Sequence, residues 1–297
     1  MAGASGFLGT SVVRAFAGAG YGVRGLVRDE AKRGIVESAG GTAVVGNVLE
    51  PGSLERALPG VTGIIHLAAN PAAGEDPRRV RVEGIHNLMA AARKGKVRRV
   101  VIGSGYWVYR GQEQPLNEES PLDPQGESRI NFETERTGLE RGVPAGPEVL
   151  VARPGMVYGN GSWFRGMAEQ ILSREYRVVG DGANRWSFVE RWDAGTAFRT
   201  IFERGSPRHI YNVVDGHPGA VRGFADFVAD QLRVLRPPIV PIPVAARTMG
   251  EVVARHLAAD RPTSNQRLTA LGWHPRFPEY RAGVPGLLEE MFPHRSG

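Results

Sequence analysis

Three glycines at the head of the chain constrain its fold more than any other feature. The first nine residues read Met1-Ala2-Gly3-Ala4-Ser5-Gly6-Phe7-Leu8-Gly9, and apolar residues at helical spacing follow at Leu8, Val12, Val13 and Phe16. Glycine lets backbone N–H groups approach a diphosphate closely, and a helix starting there turns its positive end toward the same anion. Gly3, Ser5, Gly6, Phe7, Leu8 and Gly9 are therefore expected to cradle the diphosphate of a dinucleotide. Such a loop should open a strand–loop–helix unit, yet only Met1 and Ala2 precede Gly3. The missing strand would be central, bordering 23–27 and 61–67. Its absence forgoes several buried side chains, each worth roughly 1.5–3 kcal/mol. That sum is comparable with a net stability of about 5–15 kcal/mol. The natural chain is thus expected to start a few residues upstream. Failing that, the sheet should lack its central strand or fill the place with another segment.

Downstream the pattern alternates. Strands are expected at 23–27, 42–45, 61–67, 99–102 and 149–152, and helices at 8–19, from Asp29, at 79–93 and at 130–141. This alternation predicts an α/β fold, a doubly wound parallel Rossmann sheet, with a ligand at the C-terminal ends of its strands. Beyond Gly155 the rhythm changes. Helical stretches near 164–173, 194–203, 224–234 and 244–257 are joined by Gly/Pro-rich loops, and Pro237 to Pro243 must run extended. Residues 1–155 with about 187–213 are assigned to the dinucleotide domain. About 156–186 and 214–297 are assigned to a smaller C-terminal substrate lobe.

Composition narrows the function classes. The chain has 297 residues, no Cys and a formal charge of +6. No disulfide or Cys metal site is available, and the absence of Cys fits a cytoplasmic location. No His and acid spacing suggests a metal, and no apolar run is long enough for a membrane span. The basic residues are nearly all Arg and do not interleave with aromatics, which argues against a nucleic-acid partner and for a polyanionic cofactor.

Several stretches resemble the extended short-chain dehydrogenase/reductase family, the NAD-dependent epimerase/dehydratase type. They are Gly3-Ala4-Ser5-Gly6-Phe7-Leu8-Gly9, Ile64-Ile65-His66-Leu67-Ala68-Ala69, Arg153-Pro154-Gly155-Met156-Val157-Tyr158-Gly159, Gly180-Asp181-Gly182 through Asp193, and Leu271-Gly272-Trp273-His274-Pro275. The resemblance covers nearly the whole chain. It implies an NAD(P) cofactor, a small-molecule substrate and, by analogy, a homodimer through helices such as 79–93 and 130–141. Arg28 stands where many NAD-preferring relatives carry an acid. A cation there can pair with a 2′-phosphate, so NADP is expected over NAD; the alternative is a solvated arginine paired with Asp29. Asn47 and Val48 would meet adenine, Leu67, Ala68 and Ala69 would pack along the cofactor, and Pro154 and Gly155 would face the nicotinamide. His66 reads as a core histidine.

The chemistry usual to that family is missing. Its members carry a Tyr-x-x-x-Lys pair on the helix after the fifth strand, but this chain has no Lys after Lys96 and no Tyr between Tyr109 and Tyr158. Depending on whether Glu135 or Glu133 matches the family's helix glutamate, the pair becomes Glu127 and Asn131 or Gln125 and Arg129. The usual hydroxyl position falls on Gly105, beside Ser104. Ser104 and Tyr106 are candidates near the nicotinamide, with Tyr106 the better replacement acid. Glu127 is a candidate base if burial raises its pKa. Tyr109 reads as packing. Trp163, Phe164, Arg165, Trp186 and Trp192 line the substrate cleft or form the lobe's core. Three functions stay open: an atypical NADP-dependent oxidoreductase or epimerase on a carbonyl or hydroxyl substrate, a non-catalytic dinucleotide-binding sensor or scaffold, and a non-redox lyase or cyclase.

Overall fold

The computed structural model describes residues 1–69, 76–142, 144 and 146–293. The glycine loop leads into α1 (Phe7–Ala17), which buries Val12, Val13 and Phe16. There follow β1 (Arg24–Val27), α2 (Arg33–Ser38), β2 (Thr42–Val45), α3 (Pro51–Ala57), β3 (Gly63–His66), α4 (Gly84–Lys94), β4 (Arg99–Gly103), α5 (Glu127–Glu140) and β5 (Glu148–Pro154). The short α3, with proline at its start, buries only Ser53 and Leu54. So little apolar periodicity is a weak helical signal.

All pairings in the main sheet are parallel. β1 pairs with β2, β3 with β4, β4 with β5, and β5 with the strand Ile210–Val213. Val100, Val101 and Ile102 in β4, and Val149 to Ala152 in β5, are fully buried. Helices cover both faces of the sheet, so these strands read as continuous apolar runs. Helix 191–204 lies against α1 closely enough that a Cβ on Gly195 would stand 2.6 Å from the Ser11 carbonyl oxygen.

Met1 and Ala2 lie between β1 and β3. Ala2 forms parallel bridges to both Leu26 and His66. Its N–H donates to Ile65 O at 3.0 Å, and its carbonyl accepts from Leu67 N–H at 2.9 Å. Met1 O accepts from Leu26 N–H at 2.8 Å, and the terminal ammonium donates to Arg24 O at 2.6 Å. Beneath Met1 the two halves of the sheet part around a cleft of about 510 Å³. Its walls include Val23, Arg24, Gly63 and Ile65, with Phe16, Tyr21 and Phe202.

Beyond β5 a second apolar cluster forms. Phe188 stacks on Phe224 with ring centroids 4.4 Å apart, and Phe164, Trp186, Tyr280 and Leu288 join them in the interior. Phe164 and Trp186 are therefore core, and Trp163 packs on the same cluster while its indole donates to Val157 O at 2.6 Å. Arg165 bonds Asn160 and pairs with Glu169, and Trp192 lies under the guanidiniums of Arg14 and Arg191. Of the two readings left open for these five residues, the lobe core describes the aromatics Trp163, Phe164 and Trp186. The helical stretch expected over 244–257 is two helices, Ile242–Met249 and Glu251–Ala258. They break at Gly250, whose φ of +86° no helix accommodates. The proline-rich run is extended only until Pro241, its Ile239–Val240 pairing in parallel with Val178–Val179.

Candidate functional site

The tips of β1, β3 and β4 and the glycine loop enclose a cavity of about 540 Å³. It lies at the C-terminal ends of the parallel strands, where doubly wound sheets bind ligands. Gly3, Ser5, Gly6, Phe7, Leu8 and Gly9 line it, as do Arg28, Asn47, Val48, Leu67, Ala68, Ala69 and Ser104. The glycine spacing has a steric cause. Gly3 has φ +80°, and a Cβ there would lie 2.5 Å from the backbone carbon of Leu67. A Cβ on Gly9 would lie 2.0 Å from Gly3 O. The loop is thereby folded flat onto the tip of β3. α1 follows Gly6 at its N-cap, with no side-chain cap and no acid in its first turn. Its positive end is left for an external anion. Backbone without side chains, an uncapped helix start and room for an extended ligand fit the diphosphate of a dinucleotide.

The β1 end of the cavity is cationic. Arg28 and Lys32 both line it, and Glu127 is the one carboxylate among the lining residues described. Asp29 accepts from Ala31 N–H at 2.9 Å and caps the turn 30–32. Asn47 Oδ1 accepts from Leu49 N–H at 3.1 Å, so this acceptor holds the local turn. Val48 is buried against Gly84, where a Cβ would come within 2.9 Å of it.

At the other end α5 presents Glu127, Asn131 and Thr134 to the cavity, residues on one helical face. Of the two registers open from the sequence, this face holds Glu127 and Asn131. Glu135 turns inward and forms a bidentate pair with Arg153 at 2.9 and 2.6 Å. Ser104 lies at the tip of β4, its N–H bonded to Ala152 O at 2.8 Å and its buried Oγ without a hydrogen-bond partner among the described residues. Arg81 enters from the π-helical turn Arg79–Glu83 that precedes α4. Its Nη1 donates to Asn131 Oδ1 at 2.7 Å and its Nε to Ala69 O at 3.3 Å.

Four expected residues are placed differently. Tyr106 does not line the cavity; it is fully buried in the lobe's apolar cluster beside Trp107, and burial pushes its phenol above the ordinary value. A harder-to-ionise phenol inside a core is the opposite of a poised acid. Glu127 lines the cavity, but its side chain is 82% exposed, so the burial on which a role as base depended is not there. Pro154 and Gly155 are not on the cavity wall. A Cβ on Gly155 would meet Ser187 O at 2.2 Å, so this glycine serves the close packing of two chain segments. Tyr109 is packing: its hydroxyl donates to Asn212 Oδ1 at 2.7 Å and its ring lies under Arg153.

His66, at the end of β3, is buried and touches the cavity. Burial pulls its imidazole down to about 4, helped by the charges of the N-terminus and Arg81. It is neutral at physiological pH. Lys32 and Arg81 were not found from the sequence. Lys32 stands four residues after Arg28, a spacing that would have marked it. Arg81 lies among helical positions with nothing to set it apart from Arg78 and Arg79. No group of three or more His, Cys, Asp or Glu side chains that could hold a metal is present among the described residues. No helix among them is long and apolar enough to cross a membrane.

A parallel doubly wound sheet, a glycine loop at a helix start and a long cavity across the strand tips define a Rossmann-type dinucleotide-binding protein. The chain belongs to the NAD dependent epimerase/dehydratase family, whose model matches residues 1–214. It is 30% identical to a 3-diazoavenalumate denitrifying reductase from a Streptomyces species, over 96% of this chain and 98% of that protein. It is 26% identical to a 4-hydroxy-2-methyl-3-oxo-4-farnesyl-3,4-dihydroquinoline-1-oxide ketoreductase from Stigmatella aurantiaca, over 75% of this chain and 69% of that one. Among solved structures, a dTDP-glucose 4,6-dehydratase from Streptomyces venezuelae with NAD bound superposes with a TM-score of 0.83 at 21% identity, covering 99% of this chain and 96% of that one. A human epimerase family protein with NADPH gives 0.78 at 20% identity, covering 97% and 98%. The protein is an NAD(P)-binding enzyme of the oxidoreductase type, and its cofactor is a nicotinamide dinucleotide.

Proposed function

We propose that the protein is an NADPH-preferring reductase of a small molecule whose reduction needs no proton from a Tyr–Lys pair. The cationic β1 end of the cavity carries the cofactor preference. Arg28 and Lys32 both line the cavity there. Two cations suit a 2′-phosphate and offer nothing to accept from the ribose hydroxyls of NAD.

Bound NADPH supplies a hydride. The glycine loop and the start of α1 hold the diphosphate, and Leu67, Ala68 and Ala69 keep water from one side of the cofactor. Ser104 brings a hydroxyl to the inner end of the cavity, able to donate to an acceptor oxygen or nitrogen, whereas the Thr134 hydroxyl is spent on Ile130 O. A positioned acid–base pair contributes roughly 10²–10⁴-fold, so its loss leaves room for catalysis by positioning and hydride delivery. An acceptor that is already electron-poor fits best. The Streptomyces relative is by name a denitrifying reductase of a diazo compound. Where the diazo group is a cationic aryl diazonium, hydride forms the new C–H bond, the C–N bond breaks, N2 leaves with the bonding pair's electrons, and no further proton is needed. A reactive carbonyl, protonated from water after hydride arrives, is the other acceptor class.

The test measures NADPH and NADH binding, then NADPH consumption with aryl diazonium compounds and with aromatic and aliphatic ketones and aldehydes. NADPH should bind roughly 10- to 100-fold tighter than NADH, the worth of one or two charge-assisted hydrogen bonds. Equal affinities overturn the preference. Tight binding without consumption by any acceptor overturns the reductase and favours a sensor or scaffold.

A further inference from the structure

We infer that Arg81 is the cation that binds the nicotinamide-side ribose in this enzyme, taking from a different helix the part that a lysine on α5 would play. The inference rests on the reading of the cavity as an NADPH site.

The observation is the way Arg81 is held. Arg28 and Lys32 mark one end of the cavity; Arg81 is the cation at the other end, with Ser104, Asn131 and Thr134. Its side chain is only 14% exposed. The hydrogen bonds to Ala69 O and Asn131 Oδ1 tie it to the tip of β3 and to α5 at once. These bonds engage Nε and Nη1. Nη2 stands 3.9 Å from the Glu127 carboxylate, too far for a hydrogen bond. Glu127 is itself largely in water, so it screens rather than cancels the charge that Arg81 brings into the cleft. An arginine taken this far out of water against two fixed acceptors, with part of its planar fork unused, is poised for a ligand with hydroxyl or phosphate oxygens. The diphosphate already has the glycine loop and the start of α1. The oxygens left at the Ser104 end of an extended dinucleotide are those of the second ribose.

Backbone geometry places the guanidinium there. Residues 79–83 form a π turn, and Val80 within it is buried. The extra residue per turn rotates the following side chain off the regular helical track, and such turns recur at functional sites. Asn131 stands four residues after Glu127, one of the two registers for the absent pair. There it accepts a hydrogen bond from the cation and carries no charge of its own. Charge and helix have exchanged places.

Titration calorimetry on the intact protein tests this with two probes, NADPH and adenosine 2′,5′-bisphosphate, which has no nicotinamide ribose. Arg81→Met should weaken NADPH by about tenfold or more and leave the bisphosphate unchanged, since a hydrogen bond from a charged group is the interaction removed. Arg81→Lys should recover part of the loss, and Arg81→Met with Asn131→Lys should restore it by returning the cation to α5. Thermal melting of each variant reports whether it is folded. Wild-type affinity for NADPH in a folded Arg81→Met overturns the inference alone. Equal weakening of both probes also overturns it, because the residue then acts on the fold of the whole site. A wild-type protein that binds neither probe overturns the NADPH reading and this inference together.

Discussion

Arg153 and Glu135 form a bidentate ion pair at 2.9 and 2.6 Å, with each side chain only 2% exposed. The pair joins β5 to α5, so it fixes the rotation of the helix that presents Glu127 and Asn131 to the cavity. Tyr109 lies against the same guanidinium, its ring centroid 4.8 Å away, and anchors it to Asn212. Removing one partner leaves a buried charge uncompensated. Glu135→Ala should therefore lower the unfolding free energy by roughly 3–5 kcal/mol. Replacing both partners, as in Glu135→Leu with Arg153→Met, should cost less than Glu135→Ala alone. Urea denaturation of the three variants checks the order, and an equal or larger loss in the double variant would refute it.

Two buried groups set opposite pH limits on stability. Burial holds His66 neutral, its imidazole pulled from 6.5 down to about 4. The unfolded chain takes up that proton first, so stability falls as pH drops from about 6.5 to about 4, by roughly 3 kcal/mol for this group. Asp215 behaves in the other sense. Burial pushes its carboxyl from 3.8 up to about 8, against the hydrogen bond from His217 N–H, and the nearby acids Glu279 and Asp193 add to the rise. Its protonated form belongs to the fold, so its contribution is complete below about pH 4 and is lost as pH rises through 8. Asp215→Asn should gain stability relative to the wild type at pH 8 and not at pH 4. His66→Leu should flatten the acid limb. Melting temperatures across pH 4–9 read both, and parallel curves for all three proteins would count against them.

Two of the loop's glycines, Gly3 and Gly9, leave no room for even a methyl group. Gly9→Ala places a Cβ 2.0 Å from Gly3 O, and backbone cannot give way as a flexible side chain does. Gly3→Ala adds a left-handed φ of +80° to a contact of 2.5 Å. Each should abolish measurable dinucleotide binding and cost roughly 1–3 kcal/mol of stability from overpacking or strain. Gly52→Ala, where the nearest atom is 3.6 Å away at the end of Arg56, is the control and should keep both. Retained NADPH affinity in Gly9→Ala would contradict the assignment of the loop.

The cleft beneath Met1 has the form of a strand position with neighbours on either side. Val23 and Arg24 border it on one side, Gly63 and Ile65 on the other, and Phe16 and Phe202 give it an apolar lining. Four β-branched apolar residues fused ahead of Met1 should extend the Met1–Ala2 pairing to both neighbours. The melting temperature should rise by several degrees, since about 1 kcal/mol shifts a domain of this size by roughly 2–4 °C. A Gly-Ser extension of equal length should leave it unchanged. The same result from both extensions would show that the cleft does not select a strand.

The sequence by itself determined the architecture, because its signals are local. The glycines at 6 and 9 meet the backbone of Gly3 within the same loop, and short apolar runs such as 99–102 and 149–152, set between helical stretches, fit strands buried on both faces. Tertiary structure alone decided which side chains meet at the inner end of the cavity. Tyr106 and Ser104 are two residues apart, yet one is sealed in the lobe's core and the other faces the cleft. Arg81 and Asn131 are fifty residues apart and hydrogen-bonded. Nothing in the spacing of Arg78, Arg79 and Arg81 distinguishes the last; the π turn that aims it and the buried Arg153–Glu135 pair that orients α5 are long-range outcomes of packing. Burial and charge pairing are properties of the whole fold, and a chemical site made from them becomes visible only when the chain has folded.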